Sequence, residues 1–184
     1  MNATDTFIDS LFSLMENPIP ERVVCQAKEC VLDYLGVTLA GATMIKEKGN
    51  SLLDSFGDEQ GNVTVIGFQR KESLQNAVLV NGLSSHVAEL DDGNRYGMIH
   101  LGSPIISALL PLAEHEEIEG KDFLTGIIIG YEAAVRLSSA IQPSHKQRGY
   151  HTTGTCGTIG AAMAAAAALG FTRAQMKETL SAAA

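Results

Sequence analysis

The sequence predicts an all-α, multi-helix domain. Three observations carry this: apolar residues recur at helical spacing almost from end to end, one short segment alone reads as a strand, and hydrophobic residues make up 45% of the 184 against 18% charged. Phe7, Ile8, Leu11, Phe12, Leu14 and Met15 open the pattern after an expected Asp5 cap, and Asn17-Pro18-Ile19-Pro20 breaks it. Pro20 suits the first turn of a second helix and Glu21 its positive end. Val23, Val24, Ala27, Val31, Leu35 and Leu39 give that helix its apolar face, with Gly41 as the expected C-cap. Asn62 to Phe68 is the β candidate.

Helical spacing resumes near Glu72 and runs to about Glu89, and residues 90 to 102 read as a loop. Ser103-Pro104 has the pattern of an N-cap followed by Pro, for a helix expected to reach Ile118. Gly120 ends it, and Lys121 to Ile141 reads as a buried helix. After a polar loop from Gln142 to Thr153, an alanine-rich helix is expected from Thr155 to Leu169. Thr172 and Gln175 fit a capping box for a last helix, still running at Ala184. An amphipathic helix without a polar tail leads to the expectation that the sequence is truncated relative to a longer protein.

Composition narrows the function. The net charge of −8, from 13 basic and 21 acidic side chains, comes with no Lys/Arg-rich stripe and speaks against nucleic acid. Cys25, Cys30 and Cys156 form no zinc pattern and fit a reducing, cytoplasmic setting. Met1 to Leu14 has no basic n-region, so it does not read as a secretory signal. Glu132 and Arg136 interrupt the most apolar stretch, which argues against a membrane span.

Two loops hold the chemistry. His86 to His100 gathers two histidines, Glu89, Asp91, Asp92, Arg95 and Tyr96. Gly149 to Gly160 places His151 directly before a glycine- and threonine-rich helix start. Free N–H groups there suit a carboxylate or oxyanion, and an imidazole beside them moves protons near neutral pH. This is what proton abstraction next to a carboxylate requires. Blander readings stand beside it: His86 and Glu89 as a helix-surface pair, Asp91-Asp92 as a turn or cap, His115 as solvated, His145 as an exposed loop residue, and Cys156 as packing. Gly154, Gly157 and Gly160 do not make G-x-G-x-x-G, no phosphate-loop lysine follows them, and no compact zinc spacing joins the histidines.

Val31 to Gly41, Asn81-Gly82 leading into His86 to Asp92, His100 before a helix, and Gly149 to Ala162 resemble, in order, the MmgE/PrpD family. Its members include 2-methylcitrate dehydratase, cis-aconitate decarboxylase and iminodisuccinate epimerase. The resemblance implies that residues 1–184 are the N-terminal portion of a helical domain, ahead of an α/β lid. It further implies a homodimer, a small di- or tricarboxylate substrate, and a site needing no metal and no cofactor. The family's acid–base histidines fall on His100 and His151, its loop carboxylate on Glu89 and its loop threonine on Gly93; Leu101-Gly102 stands where Pro-Gly is common. Its catalytic lysine and a further histidine are expected beyond this chain. The candidate binding residues are Glu89, Asp91, Asp92, Arg95, Thr153 and Thr155. A 2-methylcitrate dehydratase-like lyase is the leading expectation; a decarboxylase, an epimerase, a non-catalytic helical module and a ligand sensor without turnover are the alternatives.

Overall fold

A computed structural model describes residues 2–57 and 61–184. It has α1 (Ala3–Glu16), α2 (Glu21–Met44), α3 (Lys46–Ser55), β1 (Val63–Val65), β2 (Arg70–Glu72), α4 (Leu74–His86), α5 (Gly102–His115), α6 (Gly120–Ile141), α7 (Ser144–Gln147), α8 (Thr152–Ala168) and α9 (Arg173–Ala183). The all-α expectation holds, with one small departure. The β candidate is half of an antiparallel hairpin, pairing Val63 with Glu72 and Val65 with Arg70. Gly67 (φ 81°) and Gln69 (φ 53°) supply its left-handed turn residues. The sequence reading missed α3, because Gly49 and Leu53 are its only buried residues and two core positions make no visible period.

Helices α6 and α8 form the centre. Gly126 and Gly130 face Gly160, Ala164 and Ala168, so the two backbones approach without intervening side chains. By length and composition α6 is apolar enough to cross a membrane; here Ile127, Ile129, Ala133 and Ala134 on it are buried in the core. Ile105, Ile106 and Leu109 of α5 close one side, and Ile8, Leu11 and Met176 of α1 and α9 the other. A buried hydroxyl chain joins α2, α4 and α5, from Tyr34 to Ser107 (2.9 Å), on to Ser85 (3.3 Å) and then Ser103 (2.9 Å). Burial pushes the Tyr34 phenol up to about 12, so it stays neutral and hydrogen-bonded.

Expected boundaries move in α1, α2 and α5. Asn2, not Asp5, caps α1, its Oδ1 accepting from Asp5 N at 2.8 Å. Gly41 lies inside α2, where a Cβ would stand 1.8 Å from the Ser84 carbonyl oxygen; close approach to α4, rather than termination, calls for glycine there. Helix α5 ends at His115, before Ile118. The capping box of α9 is present as expected, Thr172 and Gln175 satisfying each other's backbone N–H.

Charge pairs clasp α1 to α9. Asp5 accepts from Lys177 at 2.6 Å, and Asp9 pairs with Arg173. Those hydrogen bonds and positive charges hold both carboxyls below their ordinary value of 3.8. A lowered folded-state pKa stabilises fully above the unfolded value and is lost as pH falls through the folded one. Acidification below about 3.8 is therefore expected to release α1 first. Faster amide exchange in residues 3–16 than in α6 and α8 would show it; equal protection in all three would refute it.

Candidate active site

The loop between α4 and α5 carries most of the site, and its shape is set locally. Asn94 Oδ1 accepts from Tyr96 N (3.0 Å) and Gly97 N (2.9 Å), while Asn94 and Ile99 exchange backbone hydrogen bonds. At Gly97 a Cβ would fall 2.1 Å from Ser138 Oγ, so only glycine brings the loop this close to α6. Glu89 (φ 51°) and Met98 (φ 50°) are left-handed non-glycine residues, and backbone strain of this kind gathers at functional loops.

The adjacent aspartates do different work. Asp92 Oδ1 accepts from Gly102 N at 2.7 Å and Leu101 N at 3.3 Å, and its Oδ2 accepts from Tyr131 Oη at 2.8 Å. Asp92 thus caps α5 from across the loop. This corrects the expected Ser103-Pro104 start: α5 begins at Gly102, and Ser103 turns its hydroxyl to Ser85. Burial, reinforced by the Asp92 charge, raises the Tyr131 phenol far above its ordinary range, keeping its proton for this bond. Asp92→Ala is expected to cost about 1–3 kcal/mol, the loss of a helix cap plus a stranded buried hydroxyl. A thermal midpoint within a degree of the unsubstituted protein would contradict that.

Asp91 faces the other way. Its side chain is 2% exposed, both its oxygens lie 3.0 Å from His86 Nδ1, and Oδ2 lies 3.5 Å from His100 Nδ1. The His86 ring meets that of His100 edge-on at 5.2 Å and lies 6.3 Å from that of His151. Two imidazoles therefore face one buried carboxylate, with a third ring beside His86. The blander expectation for His86, a helix-surface pair with Glu89, is met in part, since the two are 3.7 Å apart. The missed signal is the spacing of five between a helix-ending histidine and Asp91.

Helix α8 starts at Thr152, three residues before the expected Thr155, with His151 as its N-cap. Its open turn therefore presents the N–H groups of Thr152 and Thr153. The Thr153 hydroxyl is buried and accepts from His100 N at 3.0 Å, tying the two loops together. Thr155 is a full turn further on and bonds His145 Nε2 at 2.8 Å. Burial raises the Cys156 thiol, which suits packing rather than nucleophilic attack.

Two cavities meet at His151. One, of about 720 Å³, is lined by Arg95, His100, Lys146, Tyr150, His151 and Thr152, so it collects two cations that the sequence reading did not pair. The other, of about 800 Å³, is lined by Leu79, Leu83 and Val87 together with His86, Glu89 and His151. Ligand atoms of His86, Asp91 and His100 lie within 4.8 Å of one another, a spacing that one cation could share. Hydrogen bonds within the trio already account for it.

Comparison with known proteins gives the chain's family. The MmgE/PrpD N-terminal domain matches residues 9–184. The cis-aconitate decarboxylase-like protein oryM of Aspergillus oryzae is 28% identical over 179 residues, covering 92% of this chain and 37% of that protein. Cis-aconitate decarboxylase of Aspergillus terreus is 28% identical over 175 residues, with 91% and 36% covered, and the Homo sapiens enzyme 27% over 184, with 96% and 38%. The chain thus spans little more than a third of the length of these relatives. On a match that takes in both histidine loops and all of α2 to α9, this chain belongs to the MmgE/PrpD family.

Proposed function

We propose that this site serves a cofactor-independent lyase, which moves a proton at a carbon next to a carboxylate in a small di- or tricarboxylate. The observation that supports it is the cavity in which His100 and His151 face Arg95 and Lys146 at the open end of α8. In this reading the N–H groups of Thr152 and Thr153 hold one carboxylate, and Arg95 and Lys146 hold others. His100 or His151 takes or gives the proton.

In dehydration, the C–H pair passes through a carbanion beside the carboxylate and expels hydroxide, which leaves as water once protonated. In decarboxylation, the C–C bond breaks instead, CO2 leaves, and the electron pair is protonated by an imidazole. The relatives named as cis-aconitate decarboxylases favour the second outcome over the dehydratase expectation. Glu89, one methylene longer than the aspartate common in the family, gives the rim a longer reach.

Proton NMR of the protein with citrate, 2-methylcitrate, cis-aconitate and iminodisuccinate tests this reading. A new alkene signal, or loss of cis-aconitate with release of CO2, is expected. Unchanged spectra from a protein that unfolds cooperatively would overturn it.

A further inference from the structure

We infer that His86 is a proton-transfer residue of this site and that Asp91 is its positioning residue, fixing the tautomers of His86 and His100 together. The inference rests on the lyase reading and gives His86 a role that neither the sequence pattern nor the resemblance assigned to it.

A carboxylate only accepts hydrogen bonds. His86 Nδ1, at 3.0 Å from both Asp91 oxygens, must therefore carry its proton, leaving the Nε2 lone pair free. His100 Nδ1 faces the Asp91 backbone carbonyl at 3.2 Å and Oδ2 at 3.5 Å, again acceptors only. Its Nε2 is left free in the same way. One aspartate thus orients two bases through its main chain and its side chain.

Exposure separates this role from substrate binding. The Asp91 side chain is 2% exposed, whereas the His86 and His100 side chains are 30% and 33% exposed. A buried anion behind two open imidazoles repels an anionic substrate, so Asp91 suits orienting the rings rather than holding the ligand. His86 lines the less polar cavity, His100 the cationic one and His151 both, so the bases reach one ligand from two sides.

The step balances without a co-reactant. In dehydration the C–H bond beside the carboxylate breaks, its electron pair expels hydroxide, and the proton goes to His86 Nε2, where Asp91 faces the new positive charge. Glu89 Oε1, 3.7 Å from that nitrogen on the solvent side, then takes the proton outward. In decarboxylation the C–C bond breaks, CO2 leaves, and His86, charged beforehand from solvent, gives its proton to the carbon.

Two measurements on the whole protein decide it. The first is the 15N chemical shifts of the imidazoles, which report the tautomer whether or not any substrate turns over. The proton is expected on Nδ1 of both His86 and His100; a proton on Nε2 of His86 would overturn the inference. The second is steady-state kinetics of Asp91→Asn and His86→Gln. In Asp91→Asn the backbone carbonyl still accepts from His100, but an NH2 donor replaces one of the two oxygens facing His86 Nδ1, so the His86 tautomer is no longer fixed. Each variant is expected to lower kcat by about 10²-fold or more, with KM within about threefold, and the double variant to lose little beyond either single one.

A raised KM at constant kcat in Asp91→Asn would make Asp91 a binding group and refute the positioning role. Multiplicative losses in the double variant, or His86→Gln turning over normally, would remove His86 from proton transfer. If Asp91→Asn does not fold, the 15N shifts and His86→Gln still decide. Expected tautomers in a protein that turns over none of the carboxylates would sink the lyase reading and the transfer role of His86 with it, leaving only the positioning.

Discussion

His151→Gln in the whole protein is expected to lower kcat by about 10²–10⁴-fold, the usual contribution of a positioned acid–base group. His151 lines both cavities and sits at the α8 N-terminus, where a bound carboxylate would bring the reacting carbon. Its side chain makes no cap bond to α8, so glutamine removes the proton-transfer group without removing a cap. The thermal midpoint should move little. His115→Gln, on an exposed helix end beside Glu116, is the matched control and should change neither rate nor stability. Equal turnover by His151→Gln and the unsubstituted protein would show that the reaction runs elsewhere.

Gly130→Val is expected to lower the thermal midpoint steeply. A Cβ at Gly130 would lie 2.7 Å from Ala164 Cβ, 2.8 Å from the Gly160 carbonyl oxygen and 3.0 Å from Ile105 Cγ2. None of these is the end of a flexible side chain, so α6 and α8 must move apart. Overpacking of this kind costs typically 1–3 kcal/mol and more where backbone is in the way. Against a total stability of about 5–15 kcal/mol, separating the central helix pair is a large fraction. Gly36→Ala is the contrast: it lies inside α2 with nothing within 4 Å of the added Cβ. That change is expected to stabilise by about 0.5–1 kcal/mol through helix propensity. Thermal unfolding of the two variants should therefore shift in opposite directions, and a shared direction would contradict the packing described.

What could be read in advance follows from range. The helices are local: Leu11, Val31, Ile105, Ile127 and Ala164 each belong to a period visible within a few turns. The Thr172–Gln175 capping box is local as well and was legible in full. Caps supplied from a distance were not. Asp92, ten residues before the Gly102 N–H it holds, left Ser103 as the apparent cap. Gly41 had the look of a terminator because the Ser84 carbonyl pressing on it is 43 residues away, a separation read from the numbering.

The site divides in the same way. His100, His151 and the α8 N-terminus were recognisable from residue type and order. The turn of Asp91 away from the cavity toward His86 was not, because neighbouring aspartates look alike until the loop is folded. Lys146 joins Arg95 only because α7 brings it to the cavity.

The central claim is that this site moves a proton at a carbon beside a carboxylate. The most direct test is deuterium incorporation from D2O into the recovered substrate or product, followed by mass spectrometry and NMR in the whole protein and in His151→Gln. The account predicts one deuterium at one carbon, placed with a single stereochemistry, and its loss in the variant. Turnover that leaves every carbon free of solvent deuterium, or incorporation that persists undiminished in His151→Gln, would contradict it.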